Sequence, residues 1–205
     1  MTRLELAKLM NTLAGTQGVV DTTVGLTGYQ NTLVVFMDQA YNDIQIYRSS
    51  WKFLRRELPI ALSDSVDSFF DLDIDIVDRI IYNKSILREV PYDDWVIKDH
   101  KLGKPVEYTR SPIDDSIIFN PSDMDYLLTL QYTKVPDVMT VNTSVPVLPI
   151  KFHTIIVYKA LIGLGSYLGN YDLISKYSLK YSIEIGQLMR SQIPQTFVRT
   201  PPLVY

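Results

Sequence analysis

The sequence predicts a mainly α-helical protein with a small antiparallel β-sheet inserted into it, an α+β arrangement on a four-helix-type body. Three observations predict it. Helical periodicity occupies both ends of the chain, residues 58–141 switch to a two-residue alternation, and the last fifteen residues are rich in proline. This gives one domain over 1–190, with a helical body of 1–57 and 149–190 and a β-rich insert of 58–148. An extended arm, 191–205, follows.

The first helix starts at Thr2, which has capping-box spacing to Glu5, and places Leu6, Met10 and Leu13 on one stripe before Ala14-Gly15. Gly15, Gly18, Gly25 and Gly28, with Asp21-Thr22-Thr23 among them, make the next dozen residues a loop. A second helix, from Thr27 to about Glu57, has the same box in Thr27 and Gln30. Leu33, Met37, Ala40, Ile44, Tyr47, Trp51 and Leu54 then recur at alternating steps of four and three. Such a seam packs inside its own domain or against a neighbouring copy. Phe36, Tyr41 and Ile46 lie off it, so both can hold on different faces.

In the insert, Tyr126, Leu128, Leu130 and Tyr132 alternate with Leu127, Thr129 and Gln131, as a half-buried strand requires. Ser116–Phe119, bounded by turn clusters, is expected to pair with it; 79–82, 86–90 and 106–109 are weaker strands. Pro149 then suits the first turn of a third helix. Ile150, Phe152, Ile155, Ile156, Ala160, Leu161 and Leu164 make that helix apolar nearly all round, the mark of a central position. Gly163, Gly165 and Gly169 close it and serve close packing and a C-cap, because a dinucleotide fingerprint would open a helix after a strand. The last helix, about 170–190, carries Ile174, Tyr177, Tyr181, Ile185 and Leu188 on one side.

Composition narrows the chemistry. The chain of 205 residues is long enough to bury roughly 70% of its unfolded surface. It contains no Cys and two His, which leaves no thiolate zinc site and no cysteine nucleophile. Residues 154–169, the most apolar stretch, carry Lys159 and fall short of the ~20 residues of a membrane span. The first residues hold no long apolar core, so no secretory signal is expected and the sequons at Asn83 and Asn142 are read as chance. No cofactor, metal or catalytic residue is expected, and the protein is read as a non-enzyme. Asp71, Asp73 and Asp75 begin like a calcium loop, but Ile76 and Tyr82 stand where Gly and Glu are required. His100 reads as loop surface and His153 as helix surface or a satisfied core residue. The pairs Asp93-Asp94 and Asp114-Asp115 belong to turns.

Charge is distributed unevenly over a net of −3. Lys+Arg against Asp+Glu stand at 8 and 16 over residues 61–144, and at 6 and 2 over 145–205. No cation interrupts residues 60–78, where Asp64, Asp67, Asp71, Asp73, Asp75 and Asp78 form a candidate acidic surface. The arm carries Phe197, Val198, Leu203, Val204 and Tyr205 among Pro194, Pro201 and Pro202, an apolar composition that suits docking on a partner.

Over nearly its full length the chain resembles the head-to-tail adaptor, or connector, proteins of tailed bacteriophages, particularly the short-tailed ones. The likeness lies in the order of the opening helix Leu4–Leu13, the Trp51-Lys52-Phe53-Leu54-Arg55-Arg56 string, Tyr92-Asp93-Asp94-Trp95 and Pro105–Tyr108. It continues through Ile117–Pro121, Leu127–Tyr132, Asp137–Thr140 and Pro146–Pro149, up to the helix with Tyr158-Lys159-Ala160. The resemblance implies a virion protein of the neck, made in the bacterial host cytoplasm. Twelve copies form a ring beneath the portal, contact the tail or nozzle proteins, and let DNA pass without specific binding or any membrane association.

The resemblance also implies that the C-terminal segment reaches the portal, through Phe197, Pro201, Leu203, Val204 and Tyr205. Independently, surplus apolar helix faces and 14 Tyr suit contacts between copies, and an acidic surface facing the lumen or the tail would not hold phosphates. The alternatives are a small helical DNA-binding regulator, which asks for a basic recognition helix where Arg55-Arg56 offers one cluster, and a hydrolase, which asks for a convergent polar pocket.

Overall fold

The computed structural model describes residues 1–16, 18–48, 50–63, 68–69 and 74–193. Among them are five α-helices and two four-stranded sheets, so the mainly helical body with a small inserted sheet is corrected to an α+β protein with a substantial β part. Two compact units result, Met1–Leu54 with Pro136–Tyr205, and Arg55–Val135.

The first unit contains α1 (Arg3–Ala14), α2 (Gly28–Ile46), α4 (Thr154–Leu168) and α5 (Tyr171–Gln192); α3 belongs to the second. Thr2 and Glu5 form the reciprocal capping box of α1, and Gly15 ends that helix in the left-handed region at φ 71°. At α2 Thr27 is the N-cap but makes no side-chain cap bond. Gln30 instead donates to the Val19 carbonyl, tying down the glycine-containing loop. Asn11 and Asn142 hold the same loop, through Gly18 O at 2.8 Å and the Thr23 N–H and hydroxyl at 2.7 Å each.

Helix α2 ends at Ile46, about ten residues before the sequence periodicity does. Trp51 and Leu54 are buried, but a turn carries them back: the Trp51 indole N–H donates to the Ile44 carbonyl at 2.9 Å, and Lys52 N to Gln192 O at 3.0 Å. The indole thus satisfies one of the carbonyls that a helix end leaves open.

α4 packs against α1, α2 and α5, as its all-round apolar sequence predicts. Ile155, Ile156, Val157, Ala160, Leu161 and Leu164 are fully buried. A β-carbon on Gly165 would lie 3.0 Å from Ile174 and 3.1 Å from the Asn170 carbonyl, so the bare backbone is what lets α4 and α5 approach. The segment after Pro136 is pinned by side chains from far upstream. Gln45 brackets the Asp137 backbone, donating at 2.9 Å and accepting at 2.8 Å, and Arg3 reaches both Asp38 and the Thr140 carbonyl. Arg3 is the buried member of its ion pair, and three hydrogen bonds occupy its guanidinium.

His153, buried at the start of α4, accepts from the Met1 amino group at Nδ1 and donates from Nε2 to Leu148 O, both at 2.9 Å. Burial holds its imidazole below the usual histidine range, against the opposing pull of the hydrogen bond to Leu148 O. An unfolded histidine takes up its proton near pH 6.5 while the folded one resists, so stability falls as pH drops through that value. Thermal unfolding at pH 7.5 and 5.5 should show a loss of up to about 1.4 kcal/mol per pH unit from this site, absent from His153→Gln. An equal loss in the variant would rule the site out.

The second unit opens with β1 (Arg55–Leu62), β2 (Ser68–Phe69), β3 (Ile74–Tyr82), β4 (Ser85–Ile86) and β5 (Arg88–Glu89). After α3 (Tyr92–Ile97) come β6 (Glu107–Arg110), β7 (Ile117–Phe119) and β8 (Tyr126–Lys134). One sheet is antiparallel in the order β1-β8-β3-β4; the other runs β2-β7-β6-β5 and is parallel between β5 and β6. Strand β8 alternates as predicted, burying Tyr126, Leu128, Leu130 and Tyr132.

The partners of β8 are β1 and β3, whereas Ile117–Phe119 pairs with β2 and β6. Pro59 fits because β1 is an edge strand, where a missing N–H is tolerated. Leu130, between Leu58 and Ile80, sits in the core of this unit with Ile60, Leu62, Ile117, Phe119 and Tyr108. Asn83 and Lys84, both at positive φ, make the two-residue turn between β3 and β4.

Candidate assembly surfaces

The proposed seam divides in two. Leu33, Met37, Ala40 and Ile44 lie inside the core on the inner side of α2, and Trp51 is buried beyond the helix end. Tyr47 alone is open, at 54% exposure, with the Arg48 guanidinium 5.5 Å from its ring centre. The other side of α2 also carries apolar residues, Val35 and Ile46. In α5 the inward stripe of Tyr177, Ile185 and Leu188 is matched on the opposite side by Leu179 and Ile183, at 68% and 51% exposure. Tyr167 and Tyr171 stand open where α4 hands over to α5. The tyrosine count is no measure of this surface, since Tyr41, Tyr108, Tyr126, Tyr132 and Tyr177 are buried.

Two hollows adjoin on this unit. One, about 300 Å³, lies between α2 and α4 and is lined by Phe36, Ala40, Ile162 and Gly163 among others. The second, about 400 Å³, is lined by Ile46, Tyr47 and Tyr181. Asp43 and Lys159 line both and form an ion pair at 3.6 Å. The Lys159 ammonium also lies 5.8 Å from the Tyr181 ring centre. Burial, and then the neighbouring Tyr47 and Asp43, push the Tyr181 phenol up. On the α4 wall a β-carbon at Gly163 would come within 3.0 Å of the Phe36 ring, so glycine there gives that ring its place. Phe36 and Ile46 stand out in the sequence as apolar residues off the main stripe. The pairing of Asp43 with Lys159 has no local signal, because it depends on how two distant helices meet.

In the second unit the acidic surface is less uniform than its composition. Asp75 and Asp78 are exposed on β3, but Asp78 lies 3.8 Å from Arg55, and the Asp75 carbonyl accepts from Arg110. Arg55, Arg56 and Arg79 share a hollow of about 270 Å³ with Glu57, Asp78 and Gln131. Arg55-Arg56 therefore belongs to a strand and not to a helix end. Asp64, Asp67, Asp71 and Asp73 lie outside the described residues, as do Phe197, Pro201, Leu203, Val204 and Tyr205.

A second hollow, about 350 Å³, is lined by Lys98, Lys101 and Lys104 with His100 and Glu107. Glu107 pairs with Lys98 and Arg88, and the Lys98 contact does most to hold its carboxyl below the usual range. His100, read from sequence as loop surface, stacks on Trp95 at 3.9 Å between ring centres. The pair Asp93-Asp94 lies in the first turn of α3, where carboxylates offset the helix dipole. Among the described residues no group of three or more His, Cys, Asp or Glu could hold a metal ion, and no helix is long and apolar enough to cross a membrane. Compared with known proteins, the chain matches no family model and no curated protein.

Proposed function

We propose that this is a structural protein of a tailed-bacteriophage particle, whose copies form a closed ring that joins the capsid portal to the tail and leaves a channel for the genome. The observation that carries the reading is the doubled apolar character of α2 and α5. Each helix fills its own core with one side and presents Val35 and Ile46, or Leu179 and Ile183, on the other. Helices of a solitary domain normally keep that second side polar. A ring needs two different patches on each copy, one for each neighbour, and two helices with separate outward apolar residues supply them. The likeness in segment order to head-to-tail adaptors supplies the setting.

Negative-stain images and mass photometry of the purified chain, alone and with a portal complex, test the reading. Rings seated on the portal are the expected result, and the Leu179→Glu/Ile183→Glu variant should lower assembly about tenfold while keeping its melting temperature. A chain that stays monomeric beside the portal would overturn the proposal.

A further inference from the structure

Helix α5 turns Lys176, Leu179, Lys180 and Ile183 outward, all exposed and at the i, i+3, i+4, i+7 spacing of one helical face. The Lys176 and Lys180 ammonium groups lie over the Tyr177 ring, 5.2 and 5.5 Å from its centre. Neither has a carboxylate partner among the described residues. The ring thus holds two unpaired positive charges beside two apolar side chains. We propose that α3 of a second copy docks on this face of α5, its Asp93 and Asp94 carboxylates on Lys176 and Lys180 and its Val96 and Ile97 on Leu179 and Ile183. The inference rests on the ring reading and gives the α5 patch its counterpart.

In charge, α3 is the reverse of that patch. Asp93, Val96 and Ile97 share one side of it at i, i+3 and i+4, and Val96 and Ile97 are 66% and 82% exposed. Asp93 and Asp94 are also exposed and have no cation partner among the described residues. Asp78, Glu107 and Asp115 of the same unit, by contrast, are each paired with an arginine. Lengths agree as well. The six residues of α3 run about 9 Å and the patch on α5 about 10 Å, so one short helix covers it.

Net charge decides how two copies meet. Met1–Leu54 with Pro136–Tyr205 holds 10 Lys and Arg against 7 Asp and Glu, and Arg55–Val135 holds 10 against 16. Like units of two copies therefore repel, whereas the helical unit of one attracts the β unit of the next. Both patches are exposed in the single chain, so the occupant comes from outside it. A contact between unlike patches runs head to tail and repeats until a ring closes.

Charge reversals in full-length chains test the seat. Lys176→Glu/Lys180→Glu and Asp93→Lys/Asp94→Lys should each lower assembly, read by mass photometry, about tenfold. Mixing the two variants should restore it, because each reversed α5 then meets a reversed α3 and each native α5 a native α3. A loss caused by misfolding would not be repaired by mixing. The absence of native cysteine allows a second measurement. Leu179→Cys chains mixed with Ile97→Cys chains and treated with a short bismaleimide should give a covalent dimer with one chain of each kind. Chains carrying both cysteines should give a ladder of dimers, trimers and longer products.

Rings that tolerate both reversals, or a mixture that stays unassembled, would overturn the seat and leave the ring reading standing. A ladder that stops at the dimer would show a two-fold pair, and products confined to one chain would show its own α3 on α5. Cross-linking of Leu179→Cys to the portal alone would show the vertex on this face. Any of these results overturns the proposal. No assembled species from the unaltered chain, alone or with a portal complex, would instead overturn the ring reading, and the second copy as occupant with it.

Discussion

Trp51→Ala is expected to destabilise the helical unit by about 3–5 kcal/mol, the range for removing a large buried aromatic side chain. The indole is fully buried, stacks on Phe53 at 5.3 Å between ring centres, and donates to the last turn of α2 through Ile44 O. Alanine loses the burial, leaves a cavity and opens that carbonyl. Trp51→Phe keeps most of the volume and loses the hydrogen bond, so about 1–2 kcal/mol is expected. Denaturant unfolding followed by circular dichroism at 222 nm reads both. A loss below about 1 kcal/mol for alanine would mean that the turn after α2 does not depend on this residue.

Leu130→Ala is expected to cost the β unit about 2–5 kcal/mol. Leu130 is fully buried on the central strand β8, directly opposite Leu58 on β1 and Ile80 on β3, so truncation uncovers neighbours on both sides. The two tryptophans divide between the units, Trp51 in the helical one and Trp95 in the other. In a Trp51→Phe background the fluorescence of Trp95 follows the β unit alone. Its transition should move to lower denaturant with the added Leu130→Ala change. An unmoved midpoint would refute the place of Leu130 in that core.

Local patterns were legible in the sequence, and long-range pairing was not. The capping box of Thr2 and Glu5, the C-terminal glycines Gly15 and Gly169, and the apolar character of α4 are each set within a few residues and are found in the structure, although α4 begins at Thr154 and the expected first turn after Pro149 is a separate 3-10 turn, Ile150–Phe152, with Ile150 exposed. The overrun of α2 has a physical cause. Trp51 and Leu54 are buried because a turn folds them back, and a spacing of four and three cannot distinguish that from another helical turn. Arg55, Arg56 and Glu57, expected to close the second helix, open the edge strand β1 instead, and α3 is too short for periodicity to reveal.

The second sheet escaped for the same reason: which strand β7 joins depends on Tyr108 and Thr109, not on its nearest alternating neighbour. Of the candidate contact surface, the off-stripe residues Phe36 and Ile46 are visible in the sequence, and Tyr47 belongs to a seam expected to serve the core or a neighbouring copy, of which it is the exposed member. Leu179 and Ile183 are apolar residues opposite the Tyr177–Leu188 stripe, a feature that the sequence itself carries. Asp43 with Lys159, like Arg3 with Asp38 and Thr140, emerges only from the packed helices.

The placement of the β unit inside the helical one sets an order on synthesis. Residues 55–135 leave the ribosome as an uninterrupted stretch and can close their sheets at once, whereas α1 and α2 have only each other until α4 has emerged. About 110 residues separate the end of α2 from that point, or about 5–20 s of translation. Throughout that interval Leu33, Met37 and Ile44 lack the α4 surface that covers them in the finished fold, so the N-terminal helices, not the strands, are the part of the nascent chain with apolar side chains left uncovered.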